Sequence, residues 1–563
     1  MNGADLLVEL LKRQGIPFVT TLSGNGLNPF YVACRRRGLR FVDFRNEQAA
    51  SYAAEADARL TRRLGVCAVS SGVAHANAFA GLVNAYFDGA PVLLITGASA
   101  HAYTDAGKFQ DLDQVAMAQP FCKYARFVDR AERIPFYVRE AASHALAGRP
   151  GPVHLTIPLD VLNQEVGQID ERQLKSEPAV VRARAAADPV AVAEAAMLMA
   201  RAQRPLLIAG SGVFYADAGE ALHRLADQMK IPVQVPIWDR GTVARPAPYY
   251  LGVIGAASGG PRVLADADLV ILAGARVDYR LGYLEPSAIG PQAKVIRIDV
   301  DPLELRQGVD PDVAIQADPR SALEALAAEL ARRQAPPYAA WLEEAAGRYR
   351  EWRHRWDAGT PEAPPTIGQH VVEALRPLLD DDVLFLVDGG NIGQWVHQVL
   401  GSHYPANWLT CGASGVVGWG LGGAIGAKLE FPDRPVVLLS GDGSFGFTVA
   451  ELETAVRHNA PFVTVLADDQ YWGIVATGQL QQYGPEGVLG CQLGPVNYIK
   501  VAEGFGALGL CADTPEAILP AVREGLASGR PAVVHVPLAR RGPSEQGSGD
   551  TRWESGSKKA ARD

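Results

Sequence analysis

Residues 435–469 read PVVLLSGDGSFGFTVAELETAVRHNAPFVTVLADD, and this stretch decides the fold. PVVLLS is a short apolar run bounded by turn residues, which makes it a buried strand. Gly441-Asp442-Gly443 turns the chain at its carboxyl end. Thr448, followed three residues on by Glu451, predicts a capping-box helix start, and ELETAVRHN carries apolar residues at helical spacing. FVTVLA is the next strand. The unit is therefore strand, glycine turn, helix, strand, and the 27 positions from Asp442 to Asp469 fit a crossover of roughly 30 residues. Such crossovers are right-handed and return the chain parallel. Asp442 and the pair Asp468-Asp469 then fall at the carboxyl ends of parallel strands, the edge where α/β sheets bind ligands. Two hard oxygen ligands there suit Mg²⁺, which takes one or two carboxylates together with phosphate oxygens and water. Gly441, Gly443 and Ser444 leave backbone N–H groups free to approach a phosphate. The stretch reads as a holder for a metal and a diphosphate; for the GDG triplet alone, a tight turn with solvated aspartates is the alternative.

The surrounding chain supports a large enzyme-sized α/β protein. Its 563 residues are too many for one core and imply three or four domains at roughly 150 residues each. The apolar content of 48% fits extensive packing. A formal charge of −9 with no internal basic block argues against nucleic acid as a partner. Asp5 and Glu9 interrupt the first apolar stretch, and no apolar run approaches the ~18 residues a membrane span needs, so a cytoplasmic location without membrane association is expected. The six cysteines are scattered without metal-ligand spacing and read as buried thiols.

Helical and strand patterns alternate through three blocks, which predicts an α/β fold of three doubly wound parallel-sheet domains. The blocks are residues 1–165, 188–335 and 365–538, with a polar linker between the first two and a helix in WLEEAAGRYREWRHRW before the third. Residues 539–563 lack periodicity and apolar content, and read as a disordered tail. In the middle block, GSG after PLLIA and Asp299-Val300-Asp301 after VIRI leave open a nucleotide site or a structural remnant, since GSG is an incomplete GxGxxG.

Gly441-Asp442-Gly443 with its acidic partner, the segment FRNEQAASYAAEADAR and the segment SGVAHANAFAGLVNAYFDGAPVLLITG together resemble the thiamine diphosphate enzymes of the acetolactate synthase and benzaldehyde lyase group, over about residues 4–538. The resemblance implies that the first block binds the pyrimidine and the third the diphosphate and Mg²⁺. It also implies an active site shared between two subunits of a homodimer or homotetramer. Glu47 matches the glutamate that hydrogen-bonds the pyrimidine ring nitrogen and stabilises its imino tautomer. That task requires a carboxyl group in a dry site with a raised pKa. Asp442, Asp469 and the Tyr471 carbonyl match the metal ligands. Gly390, Asn391, Gly441, Gly443 and Ser444 match the diphosphate cradle, with Tyr471 and Trp472 alongside. Val417 matches the wedge that bends the cofactor, and Gly415 offers its carbonyl to the exocyclic amine. Asn25, Gln110 and His75 are the positions implied to face a small-molecule substrate, His75 as an acid–base group or as a packed histidine.

What the resemblance implies for activity is an acetolactate synthase-like carboligase/decarboxylase, working next to the carbonyl of a pyruvate-like 2-oxo acid through an enamine/carbanion intermediate. A 2-hydroxyacyl-CoA or 2-hydroxy ketone lyase is the alternative, with Arg540, Arg541 and Trp553 of the tail as a lid, and a non-catalytic cofactor-binding homologue is a third reading. FAD or ADP in the middle block stays open. Two departures matter. Asp468-Asp469 stands where the family carries an asparagine pair, and Gly478 stands where acetolactate synthases carry a tryptophan.

Overall fold

The computed structural model describes residues 1–539, apart from 168, 175–183, 256–262, 358–365, 380–381 and 400. The tail and its proposed lid residues Arg540, Arg541 and Trp553 lie outside the described residues.

The apolar runs become three six-stranded sheets in which all strand pairs are parallel. The first contains β1 Phe18–Thr21, β2 Arg40–Asp43, β3 Gly65–Val69, β4 Val92–Ala98, β5 Tyr124–Phe127 and β6 Val153–Pro158, in the order β2-β1-β3-β4-β6-β5. The second contains β7 Pro205–Ala209, β8 Val233–Pro236, β9 Tyr250–Ile254, β10 Leu269–Ala273, β11 Lys294–Asp299 and β12 Val313–Gln316, in the order β12-β11-β10-β7-β8-β9. The third contains β13 Leu384–Asp388, β14 Trp408–Thr410, β15 Val436–Gly441, β16 Val463–Asp468, β17 Leu508–Cys511 and β18 Ala532–Pro537, in the order β14-β13-β15-β16-β18-β17. Sheets covered by helices on both faces need strands that are apolar throughout. β3, β13 and β16 are buried at every position.

The first and third sheets share one topology, and its consequence is local. Strand order reverses between β1 and β3 in one and between β13 and β15 in the other, so the loops leaving those pairs diverge and open a crevice. Asn25 and Gly72 flank the first crevice, Gly390 and Gly441 the second.

The crossover from β15 to β16 is parallel, with Gly441 paired to Ala467. Its capping differs from the sequence expectation. A short helix, Asp442–Phe447, precedes the helix Glu451–Arg457, and the latter has no side-chain cap. The Thr448 hydroxyl donates to the Gly418 carbonyl at 3.0 Å, and the Glu451 carboxylate accepts from the Arg45 N–H and the Thr454 hydroxyl. Tertiary partners outcompete the local box.

The N-terminal and C-terminal domains pack helix to helix. Glu47–Thr61 lies against Gly420–Glu430, where a Cβ on Gly422 would fall 2.6 Å from the Ala49 carbonyl oxygen and one on Gly426 2.4 Å from that of Ala53. Glycine at both positions permits that approach. The helix expected before the third block spans Ala339–Asp357. Among the described residues, no helix is long and apolar enough to cross a membrane.

Candidate active site

Asp442 leaves the end of β15 and Asp469 follows the end of the adjacent β16, so both carboxylates stand over one crevice. Asp469 is held from two sides: the Asn391 amide donates to one oxygen at 3.2 Å and the Tyr471 N–H to the other at 3.1 Å. Asp468 turns away and pairs with His535 Nε2 at 2.8 Å on the neighbouring strand β18. Burial, with Asp469 and Asp468 nearby, pushes the Asp442 carboxyl up to about 7. Two carboxylates at one crevice suit a cation.

The turns beside them are built for close approach. A Cβ on Gly443 would lie 2.6 Å from the Trp472 ring, and one on Gly390 2.5 Å from Ile474 Cδ1. Asp388, 1% exposed at the end of β13, accepts the Gly420 N–H at 2.7 Å. Burial pushes its carboxyl up to about 7, against the hydrogen bond it accepts from Gly420. This carboxylate therefore ties the end of β13 to the 418–420 turn beside the crevice. Sequence reasoning missed this residue; the signal available was an aspartate directly before the glycine pair of VDGGN.

A cavity of about 230 Å³ opens from these turns. Asp442 and Asp469 line its polar end together with Gly390, Asn391, Gly443 and Ser444, and Val417, Ile474 and Val475 its apolar end. Trp238 and Tyr279 of the middle domain complete the apolar wall, which the sequence reading did not foresee. Two carboxylates, a glycine-rich helix start and an apolar chamber fit Mg²⁺, a diphosphate and a flat heteroaromatic group in that order.

Three family models match the chain: thiamine pyrophosphate enzyme, N-terminal TPP binding domain, over residues 1–117; the central domain over 192–326; and the C-terminal TPP binding domain over 388–536. The chain belongs to the thiamine pyrophosphate enzyme family. It is 32% identical over 549 residues to the acetolactate synthase large subunit IlvG of Mycobacterium tuberculosis, covering 95% of each chain. It is 32% identical over 546 residues to the acetolactate synthase isozyme 1 large subunit of Escherichia coli, covering 95% of this chain and 93% of the relative. With the human 2-hydroxyacyl-CoA lyase 2 it shares 30% identity over 581 residues, 96% of this chain and 90% of the relative. The protein is a thiamine diphosphate-dependent enzyme.

In this family member the other site positions gather on the N-terminal domain. Glu47 is the first residue of its helix, capped by Asn46, and accepts from the Asn77 amide at 3.1 Å. Asn25 follows β1, and the adjacent Gly26 N–H bonds Ser70 beyond β3 at 3.2 Å. Gln110 accepts from the Ser71 hydroxyl at 3.1 Å. Glu47, Asn25 and Gln110 thus share the carboxyl edge of the first sheet, and none of them lines the cavity of the same chain. His75 is buried beneath that edge at 0% exposure, its ring 4.6 Å from His154 and 4.7 Å from Phe79. Burial pushes its imidazole down to about 4, which leaves a packed neutral ring rather than an exposed acid–base group. Of the two glutamines in FQDLDQ, Gln114 is the scaffold: it accepts the Gly72 N–H at 2.6 Å and donates to the Gly97 carbonyl at 3.0 Å.

The middle domain's glycine turn is closed by its own residues. A Cβ on Gly210 would meet the Gly274 carbonyl oxygen at 2.3 Å, and the Ser211 N–H donates to Asp239 at 3.0 Å. Asp239 in turn pairs with the buried Arg280 at 2.6 Å. The Asp239 carboxylate thus takes up a backbone N–H of the turn.

Proposed function

We propose that this enzyme makes or breaks a C–C bond next to the carbonyl of a 2-oxo acid, as a carboligase/decarboxylase of the acetolactate synthase kind. The observation that carries the reading is the single cavity in which Asp442, Asp469 and the 442–444 turn meet the apolar wall of Val417, Ile474 and Trp238. Asp442, Asp469 and the Tyr471 carbonyl would hold Mg²⁺, and the Gly443 and Ser444 N–H groups would bind the diphosphate. Thiamine diphosphate bound there would supply a carbon nucleophile and an electron sink for the bond next to the substrate carbonyl. Val417 orients the two rings, a proximity effect. Asn77 fixes one oxygen of the Glu47 carboxyl group and leaves the other to exchange a proton with the cofactor.

Glu47 reaches a cavity only from a second copy of the chain. Val73, Phe109 and Leu112 are exposed near the Glu47 edge, and Phe447, Val475 and Leu489 are exposed in the domain that holds the cavity. Exposed apolar clusters of this kind mark association surfaces. These features support a homodimer or larger homo-oligomer. The closed glycine turn supports a structural middle domain rather than one that needs FAD or ADP. The six free cysteines suit a cytoplasmic setting.

A 2-hydroxyacyl-CoA lyase activity is the second reading. Gly478 lies in the helix Gly473–Tyr483 with nothing within 4 Å of a Cβ placed there, which leaves room for a longer acyl chain. A substrate panel separates the two. Pyruvate consumption with acetolactate release supports the first, and formyl-CoA or aldehyde release from a 2-hydroxyacyl-CoA supports the second. Failure of the chain to bind thiamine diphosphate in Mg²⁺ would leave a non-catalytic homologue.

A further inference from the structure

A buried charged cluster joins the N-terminal domain to the segment that precedes the Val417 wedge. Glu55 and Arg59, on the helix that begins at Glu47, are 0% and 1% exposed. Asn84 and Asp88 come from the helix Val73–Asp88. All four turn towards Thr410–Trp419 of the C-terminal domain. Arg59 donates to the Thr410 carbonyl at 2.9 Å and Asn84 to the Cys411 carbonyl at 3.0 Å. Asp88 accepts the Ala413 N–H at 2.9 Å with one oxygen and faces Arg59 at 3.3 Å with the other. The Ser414 hydroxyl donates to Asn84 at 2.5 Å, and the Trp419 indole donates to Glu55 at 2.8 Å. Gly412 completes the fit: at φ 104°, a Cβ there would fall 1.9 Å from Asp88.

Residues 410, 411, 413 and 414 are thus hydrogen-bonded from the N-terminal domain and Gly412 is packed against it, and the next three, Gly415 to Val417, line the cavity. Apolar packing could hold two domains together more cheaply, because buried charges must recover their desolvation cost. What the charges add is direction, since each is spent on a backbone group of one short segment or on a partner that orients it.

We propose that Asp88, with Asn84 and Arg59, is a positioning clamp that sets the Gly415–Val417 wedge, so that cofactor affinity at the C-terminal site is controlled by a domain of the same chain that contributes nothing to the cavity wall. The proposal rests on the reading of Val417 as the residue that shapes bound thiamine diphosphate.

The test uses the full chain as wild type, Asp88→Asn and Ser414→Ala, with far-UV circular dichroism to establish folding. Ser414→Ala removes one half-buried hydroxyl and keeps the test available should Asp88→Asn not fold. Two quantities are read: amide hydrogen exchange over 410–417 without cofactor, and the thiamine diphosphate Kd at saturating Mg²⁺ from quenching of tryptophan fluorescence. The clamp requires exchange over 410–417 at least tenfold faster in the folded variants, with β15 and β16 unchanged, and a Kd at least fivefold weaker. A merely stabilising contact would lower Tm and leave both quantities alone at temperatures well below it, and that result overturns the proposal. Faster exchange with an unchanged Kd overturns the link from clamp to cofactor. A wild-type chain that binds no thiamine diphosphate would instead sink the functional reading, while the exchange rates still decide the clamp.

Discussion

Asn391, in the helix Gly390–Val399 that follows β13, and Asp469, just past the end of β16, meet through one hydrogen bond of 3.2 Å that ties a diphosphate-side residue to a metal-side residue. Asp in place of an amide at 469 adds a negative charge next to an anionic ligand, where the Asn391 amide and the Tyr471 N–H hold it in place. Thiamine diphosphate affinity should therefore depend more steeply on Mg²⁺ in the wild type than in Asp469→Asn. Titration of the cofactor at several Mg²⁺ concentrations reads this directly, and superimposable curves for the two proteins would refute it.

Gly443→Ala should abolish cofactor binding rather than folding. The new Cβ would stand 2.6 Å from the Trp472 ring, so the indole or the turn must move, and both line the cavity. The expected result is a Kd raised at least tenfold with a near-normal circular dichroism spectrum. Equal binding would show that the turn has slack the structure does not reveal.

Val417→Ala should separate catalysis from stability. The side chain is half-buried at the cavity wall, so its truncation costs folding no more than about 1 kcal/mol. Turnover should fall by roughly tenfold if the wedge supplies part of a proximity effect. Steady-state rates at saturating cofactor beside thermal melts distinguish these, and an unchanged rate would remove Val417 from its role.

Burial pushes His75 down to about 4 and His397 down to about 3, with His154 also well below its ordinary value. An unfolded histidine titrates near 6.5, so between these values the unfolded chain binds more protons. Their contribution is complete above about 6.5 and is lost as pH falls towards 4, at up to about 1.4 kcal/mol per pH unit for each group. Asp388, raised to about 7, acts in the opposite sense, its contribution being lost as pH rises through that value. The comparison that isolates the histidine is His397→Phe against wild type: the drop in Tm from pH 7 to pH 5 should be smaller in the variant. Equal drops would contradict a neutral buried His397.

Much of this arrangement was legible in the chain. The adjacency of Asp442 and Asp469 follows from strand periodicity and crossover length, because both are local patterns that a parallel sheet converts into proximity. The failures have a common cause. Thr448 and Glu451 spell a capping box, but their side chains bond Gly418 and Arg45, partners no local window contains. Trp238 and Tyr279 reach the cavity from another domain and carry no motif. His75 lies one helical turn from the substrate-facing edge, and only packing against His154 shows that it points inward.

Two copies should complement each other. If Glu47 serves the cavity of its partner, a chain with Glu47→Gln and a chain with Asp442→Asn are each inactive, yet their mixed dimers contain one intact site. Co-expression should restore on the order of a quarter of wild-type turnover, since half of randomly paired dimers are mixed. No recovery in verified mixed dimers would place Glu47 and Asp442 in one chain's site.

The most direct test of the whole account is single-turnover chemistry in Glu47→Gln with cofactor bound. The variant should fold, bind thiamine diphosphate and Mg²⁺ with affinity within a fewfold of wild type, and lose C–C bond chemistry by several orders of magnitude on whichever substrate the panel identifies. Turnover at the wild-type rate would remove Glu47 from the mechanism and contradict the account.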